Sequence, residues 1–255
     1  MITHLSEWAK RKPQAPFFCV QGDKQSIEYS YRRAHIAAAA LARELERYGM
    51  TANGTLACTM YNGTELVLLS LAAAYGGYTL ALLNPRLSAD ERQLRLVELE
   101  NATGEHGMDV LTNQMVNRLL IDATGFDATG FGLLPDDAAV LTRLQVELEQ
   151  TVQRYQERFD GNNAGLVMFT SGSSGTPKAA FLTWNSLMGS AAGANEVLRY
   201  EEHGVWQMVL PLCHVGGFQI LVRTLLSGNT FIAYERYQPQ RILNDVLSFR
   251  VTHIS

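Results

Sequence analysis

Apolar and polar positions along the chain alternate between a period near two and a period near 3.6, and the switches between them predict most of its elements. Residues 17–20 and 26–29 form short apolar or alternating runs on either side of Gly22-Asp23, a dipeptide suited to a hairpin turn, so the chain opens on two strands. Ser30 precedes a stretch to residue 48 in which Ile36, Leu41 and Leu45 recur among alanines, charges fill the other face, and Gly49 supplies the stop of a helix. A strand at 56–60, a helix at 64–75, a strand at 78–83 and a helix capped by Ser88, with Asp90 and Glu91 in its first turn, come next. Residues 100–161 are broken by Gly104, Gly107, Gly125, Gly130 and Gly132 and end in a polar helical segment at 136–159, and they read as peripheral. From Gly165 the strong pattern returns. A strand at 166–169, a Gly/Ser-rich loop, a helix at 184–198, a strand at 206–210, a helix after His214, a strand at 230–233, a helix after Pro239 and a strand from Val251 follow in turn.

Strands that alternate with helices of this length imply parallel pairing, because a helical crossover must traverse the sheet before the next strand starts. An α/β fold follows. The chain stops inside its last strand, with no cap or closing helix, which reads as a C-terminal truncation. The apolar run at 66–83 is interrupted by Gly76-Gly77 and fits a buried helix turning into a strand better than a membrane span.

Composition narrows the function. The 255 residues are 47% hydrophobic and 18% charged, values of an ordinary globular protein. A formal net charge of −4 with no basic block argues against nucleic acid as a partner. Cys19, Cys58 and Cys213 are too few and too scattered for a disulfide framework, and the opening after Met1 is polar, so a reducing, cytoplasmic setting is expected.

The chemistry concentrates in one loop. Phe169-Thr170-Ser171-Gly172-Ser173-Ser174-Gly175-Thr176-Pro177-Lys178-Ala179 follows a predicted buried strand. Glycines let the main chain approach a bulky anion and present its N–H groups, hydroxyls donate to phosphate oxygens, and the lysine adds a point charge. The loop reads as a phosphate cradle formed by Thr170, Ser171, Gly172, Ser173, Ser174, Gly175, Thr176 and Lys178. It is no Walker A loop, since Lys178 follows Thr176-Pro177 and precedes Ala179, and it holds no Gly-x-Ser-x-Gly elbow. The bland alternative is a flexible Gly/Ser linker.

This segment resembles the signature loop of the adenylate-forming superfamily, the acyl- and aryl-CoA synthetases, luciferases and peptide-synthetase adenylation domains. Ser174 and Ala179 depart from the usual pattern without removing a donor. Leu82-Leu83-Asn84-Pro85-Arg86-Leu87-Ser88 followed by Glu91 is similar to that family's turn into a helix. Leu210-Pro211-Leu212-Cys213-His214-Val215-Gly216-Gly217 is similar to its strand-to-helix turn with a substrate-gating histidine, Cys213 replacing an aromatic. The resemblance implies a large N-terminal domain of stacked, mostly parallel sheets with helices between, its first α/β subdomain at 1–160 and the start of a second, carrying the phosphate loop, at 161–255. It implies a carboxylic acid as partner, ATP and Mg2+ for activation to an acyl-adenylate, and coenzyme A as acceptor, with His214, Gly216 and Gly217 at the acid. The family's later elements, its catalytic lysine among them, do not occur in these residues, so no catalytic residue is assigned, the metal ligands are unknown, and the isolated chain is expected to be inactive.

Within the superfamily the stretch after His214 is most similar to 2-succinylbenzoate–CoA ligases, through Arg223 nine residues on, Leu225-Leu226-Ser227-Gly228 and the terminal Val251-Thr252-His253-Ile254-Ser255. A guanidinium among Ile220, Leu221, Val222, Leu225 and Leu226 needs a partner, and a second carboxylate on an aromatic diacid would supply one. Other readings stay open: a salt bridge to Glu235 or a surface position for Arg223, a helix cap for His214, another aryl or a fatty acid as substrate, a non-catalytic nucleotide-binding module, and a homo-oligomer. A Cys213–His214 nucleophilic pair is disfavoured, because neighbours on a strand face opposite ways; Cys213, His253, Trp184 and Trp206 read as packing.

Overall fold

The computed structural model describes residues 1–23, 25–106, 109–124, 137–171, 177–198 and 203–255. Its elements run α1 (Ile2–Arg11), β1 (Pro16–Gln21), β2 (Ser26–Ser30), α2 (Tyr31–Arg47), β3 (Thr55–Thr59), α3 (Thr64–Gly76), β4 (Thr79–Leu83), α4 (Ala89–Thr103), β5 (Val110–Leu111) and α5 (Asn113–Thr124). They continue α6 (Ala138–Arg158), β6 (Ala164–Ser171), β7 (Pro177–Thr183), α7 (Trp184–Leu198), β8 (Val205–Met208), α8 (Val215–Ser227), β9 (Thr230–Tyr234), α9 (Pro239–Ser248) and β10 (His253–Ile254).

Local chemistry sets the boundaries. The Gly22 N–H donates to the Gln25 carbonyl at 3.0 Å and turns β1 into β2. Ser30 Oγ accepts from the Arg33 N–H at the start of α2. Ser88 and Glu91 form a reciprocal capping box on α4, each side chain accepting from the other residue's backbone N–H.

The strands form two five-stranded sheets, ordered β10-β8-β9-β1-β2 and β5-β3-β4-β6-β7. In each, three pairings are parallel and the last, β1 with β2 or β6 with β7, is antiparallel. Period-two alternation divides the residues of each strand between two cores. Phe18, Val20, Phe231 and Ala233 of one sheet, and Leu56, Cys58, Leu80, Leu82, Leu166 and Met168 of the other, enter one shared central core. Their neighbours Cys19, Ile232 and Tyr234 turn outward against Ile242 of α9, and Ala57, Ala81 and Val167 turn outward against Leu99 of α4. The result is five layers: α9, a sheet, a helical layer, the second sheet and α4. All of α3 is buried in the central layer, and α2, with Ala34 and Ala37 to Ala40 fully buried around it, packs against it.

Three expectations change. Within the stretch expected to be peripheral, 110–124 and 138–158 are integral to the core: Val116, Leu119 and Leu120 of α5 and Leu141, Leu144, Leu148 and Tyr155 of α6 are all buried in the central layer. The stretch before Trp184 holds a strand, β7, whose half-exposed positions carry no clean period two. The chain opens on α1, ahead of the two strands expected to open it, and each sheet takes strands from both sides of residue 160. Among the described residues no helix is long and apolar enough to cross a membrane.

His35 of α2 is 7% exposed, and its Nδ1 lies 2.5 Å from the Tyr75 hydroxyl of α3. Burial, aided by the Lys10 charge, pushes its pKa down to about 4. A histidine in the unfolded chain takes its proton near pH 6.5, so stability is expected to fall as pH drops from about 6.5 to about 4 and to lose this dependence below that. Urea-unfolding midpoints at pH 7.5 and 4.5 test the point: the drop should be smaller in His35→Gln, and an equal drop in both proteins would exclude His35 as its source.

Candidate active site

In open α/β sheets ligands bind beyond the carboxyl ends of the strands. Here the segments that follow β3, β4, β5, β8 and β9 converge on one cavity of about 760 Å³. Its walls include Asn62 and Glu65 after β3, Arg86 after β4, Asn113 after β5, Cys213 and His214 after β8, and Glu235 and Arg236 after β9. The N-termini of α3 and α8 open onto it, with Gly63 and His214 as N-caps and no side chain capping either end. Two helix N-termini, Arg86 and Arg236 favour an anionic ligand. Glu65 is buried and accepts from Asn113 Nδ2 at 3.2 Å, while partial burial and nearby Asp23 push the Glu235 carboxyl above its ordinary range against the pull of Arg236 and Arg241.

His214 is exposed on the cavity wall, and its ring makes no helix-capping bond, which removes the capping alternative. Cys213 and His214 sit in a turn, not on a strand, so both line the cavity; burial pushes the Cys213 thiol up, and that disfavours a thiolate nucleophile in place of the strand-face argument. Gly217 is buried where a Cβ would stand 2.2 Å from the Pro211 carbonyl oxygen, whereas a Cβ on exposed Gly216 would meet only Leu210 Cδ1, at 3.1 Å. Gly217 therefore lets α8 press directly on the turn that carries His214.

Of the phosphate loop, Gly172, Ser173, Ser174, Gly175 and Thr176 lie outside the described residues. The arms that carry it are β6 and β7, with Thr170 opposite Lys178 and Ser171 opposite Pro177. Thr170 and Lys178 are exposed. β6 runs parallel to β4, with Leu80 beside Leu166 and Ala81 beside Val167. Continuing that register brings Asn84 of the cavity wall level with Thr170, so β6 ends at the cavity's own edge.

Arg223 is not brought to the cavity. Nine residues beyond His214 it stands about 13 Å further along α8, its guanidinium 5.7 Å from the centre of the Trp206 ring, which in turn stacks on His253 at 4.9 Å. No ion pair joins it to Glu235 among the described residues. Its Nε is buried without a partner, and Asn195 Nδ2 donates to its carbonyl. Trp184 and Trp206 are buried, as expected, and half-buried His253 packs on the latter. The local motifs did not single out Asn62, Glu65, Asn113, Glu235 and Arg236 as site residues; the available signal was their place just past a strand's carboxyl end.

The family model described as AMP-binding enzyme matches residues 5–255. The chain is 26% identical over 233 residues to the 2-succinylbenzoate–CoA ligase of Staphylococcus aureus strain JH9, covering 89% of this chain and 47% of that protein. The ligase of strain MSSA476 matches to the same extent. The chain thus spans about half the length of the curated relatives it matches. Among solved structures, O-succinylbenzoate coenzyme A synthetase from Bacillus subtilis in complex with ATP and magnesium ion superposes with a TM-score of 0.73 at 20% identity, over 98% of this chain and 62% of that one. The inhibitor-bound N-terminal domain of FACL13 from Mycobacterium tuberculosis does so with a TM-score of 0.76 at 17% identity, over 98% and 61%.

Proposed function

The chain belongs to the AMP-binding enzyme family, and from that premise we propose that it is the nucleotide- and acid-binding part of an ATP-dependent acid–CoA ligase acting on 2-succinylbenzoate. The observation that carries the reading is the shared edge: the carboxyl end of β6 and the cavity bearing His214 lie at the same ends of the parallel strands. A carboxylate oxygen of the acid attacks the α-phosphorus of ATP, the bond to the β-phosphate breaks, and pyrophosphate leaves. Coenzyme A sulfur then attacks the acyl carbon, AMP departs, and the thiol proton is lost. Charge grows on the phosphates in the first step. Thr170 and Lys178 are exposed and stand opposite each other on β6 and β7, where the hydroxyl would donate to a phosphate oxygen and the ammonium would offset phosphate charge, with Mg2+ supplying further charge neutralisation when bound. His214 and the α8 N-terminus hold the acid, and Gly216 and Gly217 shape its seat.

The choice of 2-succinylbenzoate draws support from the curated relatives. Another aryl or a fatty acid is the second reading, favoured by the position of Arg223 on Trp206, away from the cavity. A reducing cytoplasm suits three buried, unpaired thiols. The 255-residue chain binds both substrates without completing the ligation. Calorimetric titration with ATP–Mg2+, 2-succinylbenzoate and decanoate, alongside mass-spectrometric detection of acyl-CoA, tests this. Saturable binding of ATP and 2-succinylbenzoate without acyl-CoA is expected. Tighter binding of decanoate would replace the acid, acyl-CoA formation would overturn the inactivity, and absence of nucleotide binding would remove the reading.

A further inference from the structure

Asn62 reaches from one sheet to the other at the cavity. It follows β3, yet its Nδ2 donates to the Leu210 carbonyl at 3.3 Å and its Oδ1 accepts from the Leu212 N–H at 2.9 Å, both in the turn after β8. The Pro211 carbonyl accepts from the His214 N–H at 3.1 Å, the His214 carbonyl accepts from the Phe218 N–H at 3.0 Å, and Gly217 packs against Pro211 from the helix side. Asn62 grips the two backbone groups that flank Pro211 from the opposite side. Only a side chain with a donor and an acceptor on one planar group makes this two-point contact: aspartate offers acceptors alone, and glutamine is one methylene longer.

We propose that Asn62 is a positioning residue for His214, fixing where the imidazole meets the acid by locking the β8–α8 turn of one sheet to the β3–α3 loop of the other. The effect on acid binding rests on the reading given above; the effect on His214 does not. Loss of the amide frees the Leu210 carbonyl and the Leu212 N–H together, so the turn and the ring it carries gain freedom while the strands on either side keep their own ladders.

Two measurements on this chain decide the matter. In the ligand-free protein, Asn62→Ala should shift and broaden the His214 imidazole NMR signals and raise Leu212 amide exchange by roughly tenfold or more. Asn62→Asp, which keeps the acceptor for Leu212, should lie between, and it carries the test if the alanine variant fails to fold. In a double-mutant cycle, Asn62→Ala should weaken 2-succinylbenzoate roughly tenfold when His214 is present and less than about twofold in a His214→Ala background. Unchanged His214 signals in both variants, or equal losses in the two backgrounds, would overturn the proposal. If the unmodified chain binds no 2-succinylbenzoate, the acid reading fails, and the ligand-free signals still decide the role of Asn62.

Discussion

Gly217→Ala is expected to destabilise the fold by about 2 kcal/mol net and to weaken acid binding, although the substitution improves helix propensity. Alanine in a helix is worth about 1 kcal/mol over glycine. Against it stands a Cβ placed 2.2 Å from the Pro211 oxygen and 2.9 Å from the Leu210 oxygen. Both are backbone atoms, which no rotamer change can clear, so α8 and the turn must separate, at a cost of about 3 kcal/mol for overpacking of this kind. The separation moves His214, the N-cap of the same helix. Gly216→Ala supplies the control within one turn: its Cβ meets only the end of the Leu210 side chain at 3.1 Å, so a neutral or slightly stabilising change is expected. Urea unfolding of the two variants decides the matter. Equal midpoints would mean that the close approach of α8 to Pro211 contributes nothing.

Lys178→Ala is expected to weaken ATP binding roughly 10- to 100-fold, the range for a charge-assisted hydrogen bond to phosphate, and to leave the unfolding midpoint unchanged. The second expectation follows from position: Lys178 is exposed on β7 opposite Thr170, and its backbone, not its side chain, joins the strand ladder. Lys178→Arg should retain part of the affinity, since the charge survives on a bulkier fork. Calorimetric titration with ATP–Mg2+ reads the effect. Unchanged affinity in the alanine variant would return the Gly/Ser-rich segment to the status of a linker.

The local signals were legible where near neighbours decide the outcome. Ser30 and Ser88 start their helices because a hydroxyl three residues upstream satisfies a free backbone N–H, and the acidic residue three beyond Ser88 completes its box. Gly22 turns the first hairpin through a bond to Gln25, three residues on. The Gly/Ser-rich loop stood out as a candidate phosphate cradle because its glycines, hydroxyls and lysine are contiguous. The stretch 100–161 misleads for the converse reason. Its glycines advertise breaks, while the buried stripe of Leu141, Leu144, Leu148 and Tyr155 is embedded among charges on a long, mostly polar helix.

What the sequence by itself determined is most of the elements, α1, β5, α5 and β7 apart, their mostly parallel character, the place of the Gly/Ser-rich loop after β6 and the turn that carries His214, because period, capping and turn geometry depend on residues a few positions apart. What only the tertiary structure decided is which faces meet. β1 pairs with β9 across more than two hundred residues, with Phe18 stacked on Phe231 at 5.7 Å, and the last strands of the chain close a sheet begun by the first. The same packing sends Arg223 to Trp206, hides Gly217 against Pro211 and brings Asn62 to Leu212. Burial of apolar faces is non-directional and many strand orders satisfy it, so partners this far apart along the chain are settled by the summed fit of the whole core.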